Sequence, residues 1–394
     1  WRAGQWNYST RGNAADLRLL FITTQPFPAQ KASTVQVMQM CAAFASNGIA
    51  VKLVASTPEA GCLTVAELQQ YYDVPHNFEI EQFALPSGLR ASDRFQLQTL
   101  WKEQGKVNLC YTRGRDVTAP LLALALGIPA IVETHTPPAS ARERWILRLI
   151  QAHPRGQLVV LTESLRSHYV HSLRFRPDRL TIAPDGVDLR RFEPPINTNE
   201  ARRHLGLDKG KWIIYVGGLY KGRGLNTLFR ATADLPLKKL IVGGRDAVEI
   251  GKWQCRAQEL GAHEIHFSGY QPPARVPLYL AAADILVMPY NTRVFTGNGQ
   301  EIANWTSPLK MFEYMAAARP IVATDLPMVR GVLKDEHNAL LVPPGDANAL
   351  RAALQRLAAS HELGERLATE AHSDVAQHTW KARARHILAN VGVN

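Results

Sequence analysis

Short apolar runs and longer amphipathic stretches take turns along almost the whole chain. The apolar runs fall at 17–23 (LRLLFIT), 50–55 (AVKLVA), 108–111, 129–134 (PAIVET) and 157–162 (QLVVLT), and then at 212–217 (WIIYVG), 239–243 (KLIVG), 284–289 (DILVMP), 320–324 (PIVAT) and 339–342 (ALLV). They are brief, unbroken and rich in Val, Ile and Leu, which is the pattern of parallel strands buried on both faces. Between them lie stretches with helical spacing, among them 34–47, 162–172, 224–233, 274–282, 307–317 and 346–358. Strand–helix alternation of this kind predicts α/β architecture with doubly wound parallel sheets.

The alternation is interrupted once. Pro184-Asp185-Gly186-Val187-Asp188 has turn chemistry, Pro194-Pro195 follows, and an Asn/Thr-rich stretch leads into a new helix. An interdomain linker is expected there. It leaves two Rossmann-like domains facing a central cleft, at 17–192 and 197–376. No short-period repeat relates the halves.

Composition narrows the class. The chain has 394 residues, 46% of them apolar and 20% charged, as in ordinary globular proteins. The formal net charge of +11 is spread over both halves and reads either as the basic bias of a soluble surface or as attraction to anionic partners such as phosphates or an acidic membrane face. Arg142, Arg144 and Arg148 raise the option of an anionic membrane, against the plainer option of a solvated helix face. No Lys/Arg stripe interleaves with aromatics, so nucleic acid is not expected as a partner. Cys41, Cys62, Cys110 and Cys255 lack paired spacing, which argues against zinc and a disulfide frame and for a reducing compartment. The longest apolar stretch, 121–132, contains Gly127 and Pro129 and is too short to span a bilayer. The polar start, 1–13, does not have the form of a signal peptide. A cytoplasmic location is expected, with a peripheral place at the inner face of the membrane as the further option.

Segment 305–320, WTSPLKMFEYMAAARP, carries the most chemistry. Ser307 and Pro308 form an N-cap and N1 pair for a helix. The amides of its first turn bind anions, helped by roughly half a positive charge from the helix dipole. A diphosphate needs more, and Lys310 in that turn supplies a cation. Glu313, on an otherwise apolar face, needs donors. A vicinal diol such as that of ribose offers two; a backbone cap or Arg319 is the structural alternative. A second segment, Val216 to Gly224 (VGGLYKGRG), is a strand–glycine loop–helix in which Arg223 is placed to grip phosphate. Arg223-Gly224 stands where a P-loop needs Lys-Ser/Thr, so nucleotide hydrolysis is not expected. In the first half, Glu133-Thr134-His135 ends a strand, where ligands of open sheets gather. His135 there is a polar contact or a proton carrier. Lys31, in the loop 24–33, and Arg113, after strand 108–111, occupy comparable places. No Asp-x-Asp pair is present, the spacing of His263-Glu264-Ile265-His266 is wrong for zinc, and no GxSxG or Cys/His nucleophile motif occurs. No metal site is expected.

Together these segments resemble the family 4 glycosyltransferases of the two-Rossmann-domain (GT-B) class, from about Leu17 to Val391. The likeness is most specific in Tyr215-Val-Gly-Gly-Leu with Arg223-Gly224, Phe267-Ser-Gly-Tyr, Ala281-Ala-Ala-Asp284, Ser307-Pro-Leu-Lys-Met-Phe-Glu313-Tyr-Met-Ala and Asn338-Ala-Leu-Leu-Val-Pro-Pro-Gly-Asp346. Pro184 to Asp188 is similar to the family's linker. Trp380 before Arg383 and Ala384 is similar to its last helix, so 377–394 is expected to cross back onto the first domain. The resemblance implies transfer of a sugar from a UDP- or GDP-sugar donor to an acceptor hydroxyl, with retention, without metal or other cofactor, in polysaccharide or glycoconjugate biosynthesis. Glu313 would bind the donor ribose. Arg223 and the amides from Ser307 through Pro308 and Leu309 to Lys310 would hold the diphosphate. Gly217 and Gly218 would let the backbone approach it, and His135 would contact the transferred sugar. His135, Arg223 and Glu313 are thus the catalytic set. Lys31 and Arg113 face donor or acceptor, which is a saccharide, a lipid-linked sugar or a small molecule. Two positions depart from the pattern. Gly218 replaces a frequent basic residue, and Trp305 replaces a Glu eight residues before Glu313 that touches the donor sugar; Glu301 or Asn304 are the candidate substitutes. An epimerase or phosphorylase on the same scaffold, and a non-catalytic binding subunit, are the other readings.

Overall fold

The computed structural model describes residues 17–58, 61–297 and 299–390; the polar start read above lies outside them. The chain divides into two compact units. The first runs to Asp185 and takes in the chain from Trp380 on; the second is Gly186–Thr379. The division falls at 185 and 379, not at 192 and 376, for a local reason. Val187 pairs with Thr379 and donates its N–H to the His378 carbonyl at 3.0 Å, which ties both crossing segments into the second unit.

The first unit holds a seven-stranded parallel sheet: β1 Arg18–Pro26, β2 Ala50–Ser56, β3 Glu79–Phe83, β4 Leu109–Arg113, β5 Ala130–Thr134, β6 Gly156–Val160 and β7 Leu180–Ile182, in the order β3-β2-β1-β4-β5-β6-β7. The second holds six: β8 Trp212–Val216, β9 Lys238–Val242, β10 Ile265–Gly269, β11 Ile285–Met288, β12 Ile321–Thr324 and β13 Leu340–Val342, ordered β10-β9-β8-β11-β12-β13. Both are Rossmann-like, and every ladder is parallel. The continuous apolar runs occupy the centres: β5, β6, β8, β11 and β12 are buried throughout. Strand β3 (EIEQF) is an edge strand with mostly half-buried side chains, so its polar sequence carries no apolar run to read. β7 has only three residues.

In each sheet the strand order reverses at one point, between β1 and β4 and between β8 and β11. Ligands of such sheets bind beyond the carboxyl ends of the strands at this switch point. The helix Trp380–Asn390 returns to the first unit and packs on helix Ala32–Ala45. Among the described residues no helix is long and apolar enough to cross a membrane.

Candidate functional site

At the end of β8 the second unit gathers a cationic nest. The chain leaves Val216 through Gly217, whose φ of +146° L-residues rarely adopt. A Cβ there would lie 2.8 Å from Lys310 Cε and closer still to Nζ. The lysine thus runs directly over the glycine backbone, and only a residue without a side chain lets it pass. Gly217→Ala is expected to cost roughly 1–3 kcal/mol of stability through backbone strain and displacement of Lys310. An unchanged urea midpoint would contradict this. Gly218 has another cause: a Cβ there would meet the Tyr220 ring at 2.6 Å. Tyr220 fills the space that a side chain at position 218 would need.

Lys310 belongs to helix Leu309–Ala316. That helix begins one residue later than the sequence predicts. Pro308, with ψ 116°, is extended and takes the cap position, and no side chain caps the helix. Ser307 is therefore not the N-cap; it is buried, 4% exposed, just before it. Pro308 itself offers the first-turn amides no side-chain acceptor. Tyr314, one turn on from Lys310, pins the helix to the sheet: its hydroxyl accepts from Val216 N–H at 2.9 Å and lies 3.4 Å from the Val287 carbonyl oxygen.

The Lys310 ammonium sits 3.9 Å from the Tyr215 ring centre and 5.2 Å from that of Tyr290. The Arg223 guanidinium stacks over the other ring contact, 4.8 Å from Tyr290. Lys310 Nζ and Arg223 Nε are buried and, among the described residues, without a hydrogen-bond partner. Burial pushes Lys310 well below the ordinary lysine value, and the neighbouring Arg223 charge adds to the shift; Glu313 acts the other way. Two cations packed against aromatic faces, with Glu313 the one carboxylate acting on Lys310 among the described residues, leave a deficit of negative charge. Glu313 lies one helical turn after Lys310. Its Oε1 is 3.4 Å from Arg191 Nη1, and Arg191 also donates to the Pro273 carbonyl. The structural alternative for Glu313 named Arg319, but Arg319 donates to the Ala281 carbonyl at 3.1 Å, so a different arginine orients the carboxylate. Of the substitutes for the missing Glu at Trp305, Glu301 is engaged by Arg293 at 2.9 Å and Asn304 is exposed.

The first unit builds a separate buried network. Glu133, fully buried in β5, takes both terminal nitrogens of Arg383, at 3.0 and 3.1 Å, with Gln36 Nε2 at 2.6 Å and the Tyr111 hydroxyl. Arg383 also donates to the carbonyls of Ala183 and Pro184 at 3.0 and 2.8 Å. Arg113 Nη2 reaches His135 Nδ1 at 2.9 Å. A guanidinium only donates, so Nδ1 accepts, and the ring proton sits on Nε2, which donates to Glu133 Oε1 at 2.6 Å. Burial and then the Arg113 charge push His135 down to about 4. Burial alone would raise Glu133, but Arg383 and the His135 bond overcome it and hold the carboxyl well below its usual range. Asp185, beside these arginines, is raised to about 7 because burial prevails.

His135 is therefore a neutral ring with both nitrogens engaged inside the first unit, by Arg113 and Glu133. The structure brings Arg113 and His135 together and leaves Lys31 apart, exposed at the extended cap position of helix Ala32–Ala45. Gly217, Arg223, Lys310 and Glu313 gather in the second unit, with Gly218 beside Gly217. Sequence reasoning gave no role to Arg191, to the Tyr215–Tyr290 pair, or to Glu133 in the first network. A carboxylate inside the buried run AIVET was the one available signal, since it demands donors. A shallow hollow of ≈ 470 Å³ lined by Arg245, Lys252, Trp253 and Arg256, among others, shares no residue with either cluster.

Two family models match the chain: "Glycosyltransferase Family 4" over residues 33–191 and "Glycosyl transferases group 1" over residues 210–360. Among curated proteins, the chain is 28% identical over 223 residues to a D-inositol 3-phosphate glycosyltransferase of Nocardia farcinica, covering 54% of this chain and 47% of that one. It is 26% identical over 233 residues to the putative colanic acid biosynthesis glycosyltransferase WcaL of Salmonella typhimurium, covering 58% and 54%. The chain thus spans about half the length of these two relatives. Among solved structures, Anabaena Alr3699/HepE in complex with UDP and glucose superposes with a TM-score of 0.73 at 13% identity, covering 95% of this chain and 99% of that one. Sucrose-phosphate synthase from Thermosynechococcus elongatus superposes with a TM-score of 0.73 at 19% identity, covering 94% and 97%. Both have the fold described above.

Proposed function

Because this chain belongs to the family 4 glycosyltransferases, with their GT-B fold, we propose that it transfers a sugar from a UDP- or GDP-sugar to an acceptor hydroxyl. The observation that carries this reading is the pair of buried cations, Lys310 and Arg223, whose Nζ and Nε have no hydrogen-bond partner among the described residues, beside a helix start whose cap residue is a proline. A diphosphate has the charge and the acceptors to satisfy both, together with the first-turn amides. Gly217 lets the phosphate approach the backbone. Glu313, oriented by Arg191, accepts from the two ribose hydroxyls. UDP in the HepE complex is consistent with such a ligand.

The chemistry follows from the charge. Breaking the glycosidic bond leaves negative charge on the departing diphosphate, and fixed cations stabilise it without reorganisation. No metal is invoked in this scheme. The acceptor hydroxyl attacks the oxocarbenium-like sugar on the face that the diphosphate leaves and passes its proton to an oxygen of that diphosphate, which gives retention. The acceptor is a saccharide, a lipid-linked sugar or a small molecule in polysaccharide or glycoconjugate synthesis.

A thermal-shift panel of UDP, GDP, ADP and NAD tests the proposal. One nucleoside diphosphate should stabilise the protein by about 2.7 kcal/mol at a hundred times its Kd. The shift should persist in EDTA and vanish in Glu313→Ala and Arg223→Ala. A response to NAD alone would overturn the reading. Binding without turnover of any sugar conjugate would favour a non-catalytic subunit, and an inverted product would remove the retaining scheme.

A further inference from the structure

Helices Ala91–Glu103, Thr118–Ala125 and Ala141–Ala152 lie side by side on the first sheet. Their N-terminal ends meet at Asp93, whose carboxylate accepts from Thr118 Oγ1 at 2.5 Å and Arg142 Nη2 at 3.0 Å. That junction sets the register. With a rise of 1.5 Å per residue, Leu97, Leu122 and Trp145 stand about 5–6 Å beyond it, and Trp101, Leu126 and Leu149 about 10–12 Å beyond it. These side chains are not core. Trp101 is 66% exposed, Trp145 61%, Leu126 40%, Leu149 38% and Leu97 37%. The middle helix, TAPLLALA, has no charged residue at all. Three adjacent helices therefore present one apolar surface, about 20 Å across at ordinary helix spacing, with a tryptophan on each flank.

The charges around it have one sign. Arg94, Arg144 and Arg148 are exposed, and none has a carboxylate partner among the described residues; Arg94 and Arg148 donate to backbone carbonyls. The acids of these helices are turned aside. Glu103 is 2% exposed and bound to Lys52, Asp93 is engaged at the junction, and Glu143 accepts from Ala139 N–H. A second copy of the chain would bring the same basic rim against this one in a two-fold contact, and like charges would oppose it. An anionic lipid surface supplies what both parts lack: apolar depth for the tryptophans and leucines, and negative charge for the arginines.

We propose that this three-helix face docks the protein on anionic membranes, with Trp101 and Trp145 entering the interface. The inference rests on the first unit alone and stands or falls apart from the transferase reading. The test is flotation of the full chain with vesicles of phosphatidylcholine, alone or mixed with phosphatidylglycerol. Binding is expected only with the anionic lipid and should weaken as salt is raised. Arg94→Gln and Arg144→Gln should each weaken it about five-fold, the near-surface worth of one basic residue. The double variant Trp101→Ser/Trp145→Ser should lose flotation while keeping the wild-type Tm, since both rings lie outside the core. Val248→Ser, equally exposed in the second unit, should float as wild type. Absence of binding to anionic vesicles at low salt would overturn the proposal. So would a dimer in light scattering that the tryptophan double variant abolishes.

Discussion

Lys310→Met is expected to lower kcat/KM for the proposed sugar transfer by about a hundred- to a thousand-fold, the usual cost of one preorganised charge-stabilising group, without destabilising the empty protein. The two effects separate because the lysine is placed for a ligand and not for the fold. Its ammonium is buried, without a hydrogen-bond partner among the described residues, and beside a second cation. An unsatisfied buried donor costs about 1–3 kcal/mol, and methionine removes that cost. What is lost is the ring contact with Tyr215 and Tyr290, about 0.5–2 kcal/mol for a cation, which a thioether sulfur against the same rings partly restores. The Tm of the variant should equal or exceed that of the wild type. A Tm loss comparable to a core truncation would mean that Lys310 holds the fold together, and the diphosphate reading would fail with it.

The same lysine fixes a proton signature. Its folded value lies well below the unfolded one, near 10.4. Between those two values the unfolded chain carries the proton and the empty native protein does not. Stability of the empty protein therefore rises with pH through that window and is lost as pH falls. A bound diphosphate reverses the local field and favours the charged form. Nucleotide binding within the window should take up a proton, visible as a dependence of the calorimetric enthalpy on the buffer's ionisation enthalpy. Lys310→Met should abolish that dependence.

The parts of this site that the sequence discloses are those written in one short segment. Lys310 and Glu313 are three residues apart and share a helix face, and Gly217 and Arg223 flank a turn that follows a clear strand, WIIYV. The sequence places the helix start one residue early because Pro308 fits either an N1 or an extended role, and its ψ decides. Arg191 was invisible for a different reason. It reaches Glu313 across 122 positions, and no local period records such a pairing. The same holds for Tyr290, which joins Lys310 and Arg223 only because β11 lies beside β8. In the fold, central strands announce themselves by being buried on both faces, whereas β3 at the edge has a polar sequence.

Arg383→Met is expected to destabilise the protein by about 3–5 kcal/mol at neutral pH, the cost of leaving a buried carboxylate without its cation. Arg383 and Glu133 are 250 positions apart, and their bidentate contact fastens the returning helix to β5. The pH dependence distinguishes this mechanism from a mere loss of packing. In the wild type, Glu133 is held well below its unfolded value, near 4.3, so its contribution is present above that value and lost as pH falls through the folded one. Without Arg383, burial dominates and the folded value moves above the unfolded one. The sign reverses: the variant loses stability as pH rises out of the acid range. Urea unfolding at pH 4.5 and pH 7 should therefore show a much smaller deficit at the lower pH. Adding Glu133→Gln should recover part of the loss at pH 7 and little at pH 4.5, because the amide carries no charge to strand and keeps an acceptor for Tyr111. Equal deficits at both pH values would assign Arg383 to packing against Met40 and Trp380 instead.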